Sequence, residues 1–342
     1  MPLESVDYIW MNGEMVKWED AKIHVLTHAL HYGSGVFEGI RCYHTGERPV
    51  VFRLRDHIKR LYNSARIYFM TTKNKIGRVD NNGDEVNCYS VDQLCEAAKD
   101  VIRKNSESLM RGNKKIAGKE IASCYIRPIV YRGYGEMGLY PLNSDIDVAI
   151  AVWAWGSYLG DDDSGIRVKT STYERINANV MPPGAKATGQ YINSILASIE
   201  AKMCGYQEAL LLDNRGFVSE GPGENLFIIR NGKLYTPPLH ASILDGITRD
   251  SVIAIADDLG YDVVESDIDR GMVYSADAAF FTGTAAEITP IREIDGQILG
   301  EGLGEINGII REIRDKFFDI IENKNCKYDG TRYGKWLDYV DM

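Results

Sequence analysis

Hydrophobic and polar residues alternate along much of the chain with the period of an α-helix. In SVDQLCEAAKDVIRKN, residues 90–105, apolar side chains recur every three or four positions, and Ser90 and Gln93 match a capping box. The same periodicity predicts three further helices, in QYINSILASIEAKMCGY, TRDSVIAIADDLG and INGIIREIRDKFFDIIEN. We expect their apolar stripes to face a hydrophobic core. In the first of these three segments the stripe consists of Ile192, Ile195, Leu196, Ile199 and Met203.

Strand patterns are as frequent as helical ones. Runs rich in β-branched and aromatic residues occur in IASCYIRPIVY, DVAIAVWAW, IRVKTSTY, EALLLD, NLFIIR and AAFFTG. Hairpin turns are predicted at Asn12-Gly13, Asn231-Gly232 and Asp295-Gly296. Strands joined by tight turns, with irregularly spaced helices, indicate an α+β fold rather than a regular βαβ succession.

The chain is long enough to form two domains. Its 342 residues are interrupted by WGSYLGDDDSG, where glycine, serine and three aspartates separate two strand-like runs. We therefore predict a smaller N-terminal domain at 1–154, an interdomain loop at 155–165 and a larger domain at 166–342. Two polar stretches, 71–90 and 104–120, show no periodic pattern, so we predict that they are solvated surface loops.

Composition narrows the classes of function. A net charge of −10 argues against nucleic acid or an anionic membrane surface as the main partner, since both require a cationic face. No apolar run has the length of a membrane span, and MPLESVDYIW lacks the features of a signal peptide, so we expect a cytoplasmic protein. The six cysteines form no CxxC pair, which favours free thiols, although a bridge between Cys88 and Cys95 stays open.

Two patterns look like ligand sites but have simpler structural explanations. GYGEMG, residues 133–138, matches GxGxxG, yet it is followed by LYPLNSD where a dinucleotide site requires a helix, so a glycine-rich loop is favoured. His24, His28 and His31 have helical spacing. The glycines around them and the lack of a nearby acid favour a structural or pocket-wall role over a metal site.

Two segments predict anion binding through backbone amides. In LDGITRDS, Ile247 and Thr248 open a helix, so their N–H groups have no acceptor within the helix and the helix dipole is positive there. Such a helix end binds phosphate, although a simple Thr248 N-cap explains the pattern equally well. In FTGTAAEITP, Gly283 permits close approach, and residues 284–286 expose amides that suit a carboxylate or a phosphate.

Charged residues stand in unusual settings in two further segments. PPGAKATGQYINS, residues 182–194, places Lys186 among small residues that can neither bury its stem nor neutralise its charge, and Tyr191 follows at the start of a predicted helix. SEGPGENLF places Glu220 and Glu224 in a glycine-proline turn before a strand. For these two acids the residues alone leave a solvated turn as an open explanation.

Together these segments resemble the branched-chain amino acid aminotransferases, pyridoxal-phosphate enzymes of the D-amino-acid-transaminase-like fold (fold type IV). DYIWMNGEMVKWEDAKIHVLTHALHYGSGVFEGIRCY looks like the family's N-terminal segment, and PPGAKATGQYINS, EGPGENLF, LDGITRD and FTGTAAEITPI follow in the family's order and at similar spacings. The resemblance covers nearly the whole chain, except that the two polar stretches are longer than the family pattern. It implies a two-domain fold, pyridoxal 5'-phosphate as cofactor, and a homodimer or a larger homo-oligomer such as a hexamer. The implied reaction exchanges amino groups between leucine, isoleucine or valine and 2-oxoglutarate.

The resemblance also implies a cofactor site. Lys186 is similar to the family's Schiff-base lysine, whose released amine is the natural base for the substrate's α-proton. Tyr191 is similar to the tyrosine that binds the cofactor's phenolic oxygen. Glu220 is similar to the glutamate that meets the pyridine nitrogen and favours the protonated ring, with Glu224 behind it. The other residues implied around the cofactor, mainly at its phosphate, are Arg60, Leu244, Ile247, Thr248 and Thr284.

A substrate pocket is implied in the same way. Arg127 in CYIRP resembles the group that admits the second carboxylate of glutamate, which would be intolerable in an apolar pocket without a cation. Leu139 resembles a residue contributed by the neighbouring subunit. The amides that would hold the α-carboxylate belong to Thr284, Ala285 and Ala286. The apolar and aromatic walls implied for the branched side chain are Tyr32, Phe37, Gly39, Trp155 and Tyr158.

Three alternatives stay open beside the branched-chain aminotransferase. A D-amino acid transaminase has the same fold, but the YIRP arginine and the FEGIR segment favour the branched-chain group. A lyase of this fold, such as an aminodeoxychorismate lyase, would use the same lysine without transaminating. A non-catalytic binding protein is disfavoured because lysine, tyrosine, glutamate and arginine are all present. The resemblance does not rank leucine, isoleucine and valine.

Overall fold

The computed structural model describes residues 3–44, 48–80, 82–109, 115–116, 119–120, 122–156, 164–300 and 307–341. The chain forms two compact units. The first comprises Met1–Gly156, Ala185–Gly189 and Cys326–Met342, and the second comprises Ser157–Gly184 and Gln190–Asn325.

The strands alternate with helices irregularly, in keeping with the predicted α+β class. In chain order they are β1 Tyr8–Met11, β2 Glu14–Lys17, β3 Gly35–Phe37, β4 Ile40–His44, β5 Pro49–Phe52, β6 Thr71–Thr72, β7 Lys75–Val79, β8 Glu85–Tyr89, β9 Lys115–Ile116, β10 Lys119–Glu120, β11 Ala122–Arg132, β12 Ile146–Ala154, β13 Ile166–Thr170, β14 Glu208–Leu210, β15 Asn225–Arg230, β16 Lys233–Thr236, β17 Val263–Glu265, β18 Ala278–Gly283, β19 Glu287–Ile294, β20 Gln297–Ile298 and β21 Leu337–Tyr339.

The α-helices of the described residues are α1 His28–Tyr32, α2 Leu54–Ile67, α3 Val91–Lys104, α4 Ser106–Leu109, α5 Tyr191–Met203, α6 Ile247–Asp258, α7 Arg270–Tyr274 and α8 Gly308–Glu322. Short 3-10 turns lie at Trp18–Asp20, Thr188–Gln190, Leu239–Ala241, Lys324–Cys326 and Gly334–Trp336.

An eight-stranded antiparallel sheet forms the centre of the first unit. Its order is β2-β1-β12-β11-β4-β5-β21, and β3 also pairs with β11. Helices α2 and α3 bury their apolar faces against it, with Leu61, Val101 and Val130 among the fully buried residues of this core. Because β11 is long, it pairs with β12 along one edge and with β3 and β4 along the other. Phe37 and Arg127 therefore lie on two strands, β3 and β11, that pair directly with each other.

The division of the chain differs from the predicted boundaries in two places. The prediction assigned every residue after 165 to the second domain, whereas 185–189 and 326–342 belong to the first unit. The C-terminal segment belongs there because β21 pairs antiparallel with β5 at the edge of the first sheet. The interdomain role of 155–165 stays a prediction, since residues 157–163 lie outside the described residues.

The prediction of a surface loop at 71–90 is wrong. This stretch forms a three-stranded antiparallel sheet, β6-β7-β8. Ile76 is fully buried in the first core, and Gly77 has φ +134° beside an irregularity in the strand register. The glycine and the register shift interrupt the alternation of polar and apolar residues, which explains why the sequence showed no strand pattern. The same prediction is wrong for the described part of the other polar stretch, 104–120. Residues 106–109 form α4, Asn105 and Leu109 are buried, and β9 pairs with β10, while residues 110–114 and 117–118 lie outside the described residues.

The second unit is built on a mixed eight-stranded sheet. Its order is β14-β13-β19-β18-β15-β16-β17, with β20 paired to β19. Strand β13 runs parallel to β14 and β19, and β16 runs parallel to β17, while β15, β18 and β19 are antiparallel neighbours. All six predicted strand segments contain a strand, and all three predicted hairpin turns are present with positive φ at both central residues.

The four predicted helices are confirmed as α3, α5, α6 and α8, and α3 begins with the predicted capping box of Ser90 and Gln93. The expected burial of the α5 stripe is wrong. Helix α5 instead packs through Ala197 and Ala201 against Ala209 and Leu211. Small side chains let the helix approach the strand closely, so the larger residues point outward. The exposed fractions are 60% for Ile192, 50% for Ile195, 40% for Leu196, 50% for Ile199 and 84% for Met203.

Two further sequence questions are answered by the fold. All six cysteines are free, so the bridge between Cys88 and Cys95 is absent. Every helix within the described residues is too short or too polar to cross a lipid bilayer.

Candidate active site

Lys186 lies in a segment that is fastened to the first unit through its backbone. The Lys186 N–H donates to Ser64 Oγ on α2 at 3.0 Å, and the Lys186 C=O accepts from the Phe37 N–H of β3 at 3.0 Å. The Thr188 hydroxyl donates to Gly33 O at 2.8 Å. The position of the lysine is thus fixed on both sides of its Cα, while its side chain is half-buried.

The small neighbours of Lys186 are needed for this attachment. Ala185 and Ala187 are each only 1% exposed, so they are packed rather than open to solvent. A Cβ on Gly33 would lie 2.8 Å from Gly189 Cα, a distance that no side chain tolerates. The small residues around the lysine therefore allow two backbone segments to approach each other closely.

Lys186 and Arg127 both lie near the ring of Phe37. Lys186 Nζ lies 5.2 Å and Arg127 Cζ 4.8 Å from the centroid of this ring. The Arg127 guanidinium also lies 5.4 Å from the Tyr125 ring and 5.7 Å from the Trp153 ring. Arg127 Nε is buried and has no hydrogen-bond partner among the described residues. A half-buried cation that lies against aromatic rings and has a buried N–H without an acceptor among the described residues suits a carboxylate ligand.

Tyr125, in the same unit, leaves no space for a side chain at position 39. A Cβ built on Gly39 would lie 1.9 Å from the Tyr125 hydroxyl oxygen. The Tyr125 ring packs against Trp155, with centroids 4.9 Å apart, and against Trp153 at 5.4 Å. The predicted lining residues Phe37, Gly39 and Trp155 therefore belong to one aromatic group, of which the sequence analysis missed Tyr125 and Trp153.

Arg60 lies on α2 with its side chain largely buried. It forms two hydrogen bonds to Glu38, from Nε at 2.7 Å and from Nη2 at 2.8 Å, and its side chain is 13% exposed. His57 Nδ1 lies 2.7 Å from the same carboxylate and must donate, since an ionised carboxylate only accepts. His57, Arg60 and Ser64 thus form a buried polar stripe with helical spacing, whereas polar residues at this spacing predict exposure.

The electrostatics of this group follow from burial and pairing. Glu38 is fully buried, which alone would raise its pKa, but the Arg60 charge and the hydrogen bonds from His57 and Arg60 hold that pKa well below its usual range. Burial lowers the pKa of His57. Glu38 is therefore ionised and His57 neutral at neutral pH, and the Arg60 guanidinium is held in a fixed orientation.

Tyr32 and Leu139 lie on the surface of the first unit, with exposed fractions of 45% and 91%. The Tyr32 ring packs on His28. His28 is buried, and its ring nitrogens lie 2.7 Å from Ser34 Oγ and 2.8 Å from Gly138 O, so this histidine has the structural role that was favoured. The GYGEMG segment is a loop followed by the strand β12, as predicted, and not by a helix. Tyr158 lies outside the described residues.

Glu220 is the centre of the predicted site in the second unit. It is 4% exposed, and its Oε1 accepts from Arg175 Nε at 2.8 Å. Its Oε2 accepts from Asn225 Nδ2 at 3.0 Å and from the Leu244 N–H at 3.0 Å. The solvated-turn explanation for Glu220 is therefore wrong, and Leu244 lies beside it.

Glu224 shapes the turn that carries Glu220. Its carboxylate accepts from the Gly223 N–H at 3.0 Å, and its carbonyl accepts from the Gly221 N–H at 2.8 Å. A Cβ on Gly283 would lie 3.3 Å from Gly223 O, so Gly283 permits the predicted close approach. The 284–286 turn that follows β18 is thereby placed next to the Glu220 turn.

Helix α6 begins at Ile247, and its N-cap is Gly246 without a side-chain cap. Thr248 is the second helical residue, so the alternative of a simple Thr248 N-cap is wrong. Both Ile247 and Thr248 are less than a tenth exposed. The amides of a first helical turn lack acceptors within the helix and carry the positive end of its dipole, so this end of α6 suits a phosphate.

Tyr191 is the first residue of α5, as predicted, and is half-buried. Lys186 belongs to the first unit and Tyr191 to the second, because the chain leaves the first unit after Gly189. Sequence reasoning missed Glu38, Ser64, Tyr125, Arg175 and Asn225. Glu38 and Asn225 stand inside the quoted motifs FEGIR and EGPGENLF, which is the signal that could have identified them.

The chain is similar to known proteins along its whole length. The model of the amino-transferase class IV family matches residues 35–294. The branched-chain-amino-acid aminotransferase of Escherichia coli strain K12 is 43% identical over 345 aligned residues, which cover 100% of both chains. A crystal structure of the Escherichia coli branched-chain amino acid aminotransferase matches with a TM-score of 0.85 at 43% identity, over 98% of this chain and 100% of that chain. The branched-chain amino acid aminotransferase of T.th., complexed with N-(5'-phosphopyridoxyl)-L-glutamate, matches with a TM-score of 0.83 at 41% identity, over 98% and 99% of the two chains.

Proposed function

The chain belongs to the class IV amino-transferase family, and we propose that it is a pyridoxal-phosphate-dependent branched-chain-amino-acid aminotransferase. It moves the amino group of L-leucine, L-isoleucine or L-valine reversibly to 2-oxoglutarate, giving a branched 2-oxo acid and L-glutamate. The cofactor, when bound, supplies an aldehyde that accepts the amino group and a ring that takes up electron density. The comparisons favour this reaction over the D-amino acid transaminase and the lyase.

The described residues fit this cofactor. A lysine with a fixed backbone, a buried carboxylate with three donors and an uncapped helix start are the groups that an aldehyde, a ring nitrogen and a phosphate each require. We assign the phosphate to Arg60 and to the amides of Ile247 and Thr248, with Thr284 beside them. Glu220 would meet the ring nitrogen, with Leu244 next to it, and Tyr191 the phenolic oxygen.

Lys186 would carry the proton in this reaction. Its amine is a base that can take the proton from the substrate's α-carbon and return it to the cofactor's aldehyde carbon. The anchored backbone at Ser64 and Phe37 fixes the origin of this side chain, so the amine reaches the same position in every turnover.

Substrate binding divides between apolar walls and one cation. We assign the branched side chain to Tyr32, Phe37, Gly39, Trp155 and Tyr158, and the α-carboxylate to the amides of Thr284, Ala285 and Ala286. Arg127 would bind the second carboxylate of glutamate, and its buried Nε without a partner among the described residues supports this role. Leucine would leave the guanidinium stacked on its aromatic neighbours.

One observation carries the functional proposal. Lys186 is fastened by its N–H and its C=O, and its amine lies over the same Phe37 ring as the Arg127 guanidinium. The amine that we assign to catalysis and the cation that we assign to a carboxylate thus lie near the same aromatic ring. This arrangement suits a substrate that has both an amino group and a carboxylate.

The test is a half-reaction with three amino acids in parallel. Protein loaded with pyridoxal 5'-phosphate is mixed with L-leucine, L-glutamate or D-alanine, and the absorbance of the bound cofactor and the 2-oxo acid formed are measured. We expect conversion with L-leucine and L-glutamate and none with D-alanine. Lys186→Ala should abolish turnover, whereas Lys202→Ala, at an exposed lysine of α5, should retain it. Conversion of D-alanine alone would contradict the proposal, and so would borohydride labelling at a residue other than Lys186.

Oligomeric state and location are further parts of the proposal. We propose a homodimer or a larger homo-oligomer, because Leu139 lies on an exposed loop and corresponds to a residue that the neighbouring subunit supplies in the family. We also propose that the enzyme works in the cytoplasm, where amino acid substrates and the cofactor are present.

A further inference from the structure

Arg175 is a buried arginine whose side chain is directed at the Glu220 carboxylate. The two side chains are 7% and 5% exposed, and Arg175 Nε lies 2.8 Å from Glu220 Oε1. The backbone N–H of Arg175 donates to Leu212 O at 2.8 Å, so the backbone that carries the side chain is anchored. We infer that Arg175 is a positioning residue that keeps Glu220 ionised, and that it thereby determines which side of the contact between Glu220 and the cofactor's ring nitrogen carries the proton. The inference deepens the proposed function and rests on it.

Burial alone would favour the neutral form of Glu220. An ionised carboxylate that leaves water without a partner loses its solvation and takes up a proton instead. The donors that oppose this include the Arg175 guanidinium, the Asn225 amide and the Leu244 N–H. Of these only Arg175 carries a charge, and charge-assisted hydrogen bonds are the stronger ones. Arg175 therefore contributes most to holding the carboxylate ionised.

The state of Glu220 decides how it can serve a ring nitrogen. The carboxylate and the nitrogen are two bases that share one proton, and the proton stays on the more basic of the two. With Arg175 in place, Glu220 is the weaker base, so the proton stays on the ring nitrogen and the ring can accept electron density. Without Arg175, the buried Glu220 would hold the proton and the ring would be a weaker electron acceptor.

A purely structural role explains the arginine less well. Arg175 Nη1 is buried and has no hydrogen-bond partner among the described residues. An arginine selected only to stabilise the fold would be expected to satisfy its buried donors, since each unmade hydrogen bond is costly. The guanidinium is instead directed at one carboxylate, the one assigned to the cofactor.

Asn225 fixes the geometry in which Arg175 acts. Besides Glu220, its Nδ2 donates to Leu244 O at 3.0 Å. Its Oδ1 lies 1.9 Å from where a Cβ on Gly246 would be, so the amide fills the space beside the N-cap of α6. The Glu220 carboxylate is thus tied to the helix start that we assign to the phosphate, and it can bind Arg175 without moving away from the ring.

The experiment reads the protonation state of the ring directly. Wild type, Arg175→Gln, Arg175→Lys and Glu220→Gln are each loaded with pyridoxal 5'-phosphate labelled with ¹⁵N in the ring, and the ¹⁵N chemical shift is measured by NMR. Wild type and Arg175→Lys should show a protonated nitrogen. Arg175→Gln should show an unprotonated one and should slow the leucine half-reaction by about tenfold or more, the equivalent of one pKa unit.

A double variant separates an effect through Glu220 from an independent one. If Arg175 acts through Glu220, the Arg175→Gln/Glu220→Gln variant should have the same ¹⁵N shift and half-reaction rate as Glu220→Gln alone. The matched control is Arg167→Gln, which removes a different arginine that is hydrogen-bonded to a glutamate, Glu293, in the same unit. This control should keep the wild-type shift.

The outcomes distinguish the inference from the proposed function. A protonated nitrogen in Arg175→Gln, or additive rate losses in the double variant, would overturn the inference while leucine conversion by wild type still supports the function. If wild type fails to convert leucine, the proposed function fails. If Arg175→Gln does not fold, the ¹⁵N shift of Arg175→Lys tests the inference instead. An unprotonated ring nitrogen in this variant, which keeps a positive charge at position 175, would contradict the role of that charge.

Discussion

At the scale of single residues, the Tyr125 hydroxyl determines what position 39 can hold. An added Cβ there would lie 1.9 Å from that oxygen, so Gly39→Ala must displace the Tyr125 ring and, with it, the aromatic group around Arg127. Overpacking of this kind costs about 1–3 kcal/mol. We expect the KM for L-leucine to rise by about tenfold, with a smaller loss in kcat, as measured by steady-state kinetics.

The control for this substitution is Gly308→Ala. An added Cβ at the first residue of α8 meets no atom within 4 Å, and the backbone there does not require glycine. This variant should keep the wild-type KM. An unchanged KM in Gly39→Ala would show that the aromatic group does not border the substrate.

Glu38 gives a prediction about pH. Glu38→Gln removes the charge of a fully buried carboxylate whose partner, the Arg60 side chain, is 13% exposed, and breaking a buried ion pair costs about 3–5 kcal/mol. The folded-state pKa of Glu38 is depressed: burial opposes this, and the Arg60 charge and hydrogen bonds outweigh it. A depressed acid stabilises the fold fully above its unfolded pKa, about 4.3, and loses this contribution as the pH falls below that value.

The measurement is urea unfolding of wild type and Glu38→Gln at pH 7 and pH 3.5. We expect the difference in the free energy of unfolding to be smaller at pH 3.5. Glu96→Gln is the matched control, because the Glu96 side chain is 60% exposed and its ion pairs with Lys99 and Arg103 should each contribute less than about 1 kcal/mol at either pH. A difference that grows on acidification would contradict the ionised state of Glu38.

The residues that sequence reasoning found and missed differ in the range of their interactions. Lys186, Glu220 and Arg60 stand in local motifs that resemble a family. Glu38 and Arg175 act on partners 22 and 45 positions away, and no periodicity in the sequence relates such positions. His57 and Arg60 on α2 illustrate this, because their partner, Glu38, lies on a separate segment between β3 and β4.

At the scale of elements, the two ends of α3 are stabilised to different degrees. Ser90 caps the start, and its loss costs about 1 kcal/mol. Asn105 at the other end is fully buried and bonds the Asp7 N–H, the Tyr8 N–H, the Tyr8 C=O and the Val101 C=O. Asn105→Ala leaves several buried groups unpaired, so we expect a loss of about 2–4 kcal/mol, against about 1 kcal/mol for Ser90→Ala. Chemical denaturation of both variants tests this order, and equal losses would contradict it.

Helix α5 shows why element type was predictable and orientation was not. The spacing of its apolar residues fixes a helix, which is present at Tyr191–Met203. Which face is buried depends on the surface it meets, and here alanines meet β14. Strand β7 shows the converse, since Gly77 and a register shift hide a strand whose Ile76 is fully buried.

At the scale of the whole molecule, the predicted substrate-binding residue Leu139 is exposed to solvent in the single chain. Leu139 is 91% exposed on the loop after β11. Two buried side chains anchor the backbone of this loop. Arg132 donates a hydrogen bond to Pro141 O at 2.7 Å, and His28 donates one to Gly138 O. A rigid loop that presents an apolar tip suits insertion into another subunit, which is the role that the family resemblance assigns to Leu139.

Mixed oligomers test this sharing of residues between subunits. Lys186→Ala lacks the catalytic amine, and Leu139→Asp would place a carboxylate in the partner's apolar pocket, so each variant alone should be inactive or nearly so. If both chains are co-expressed with different tags, half of the dimers are mixed and each mixed dimer has one intact site, so activity should return to about a quarter of wild type. Leu3→Asp, at another exposed leucine, should be fully active by itself. No recovery in purified mixed dimers would mean that each chain completes its own pocket, and Leu139 would then have to be removed from the site.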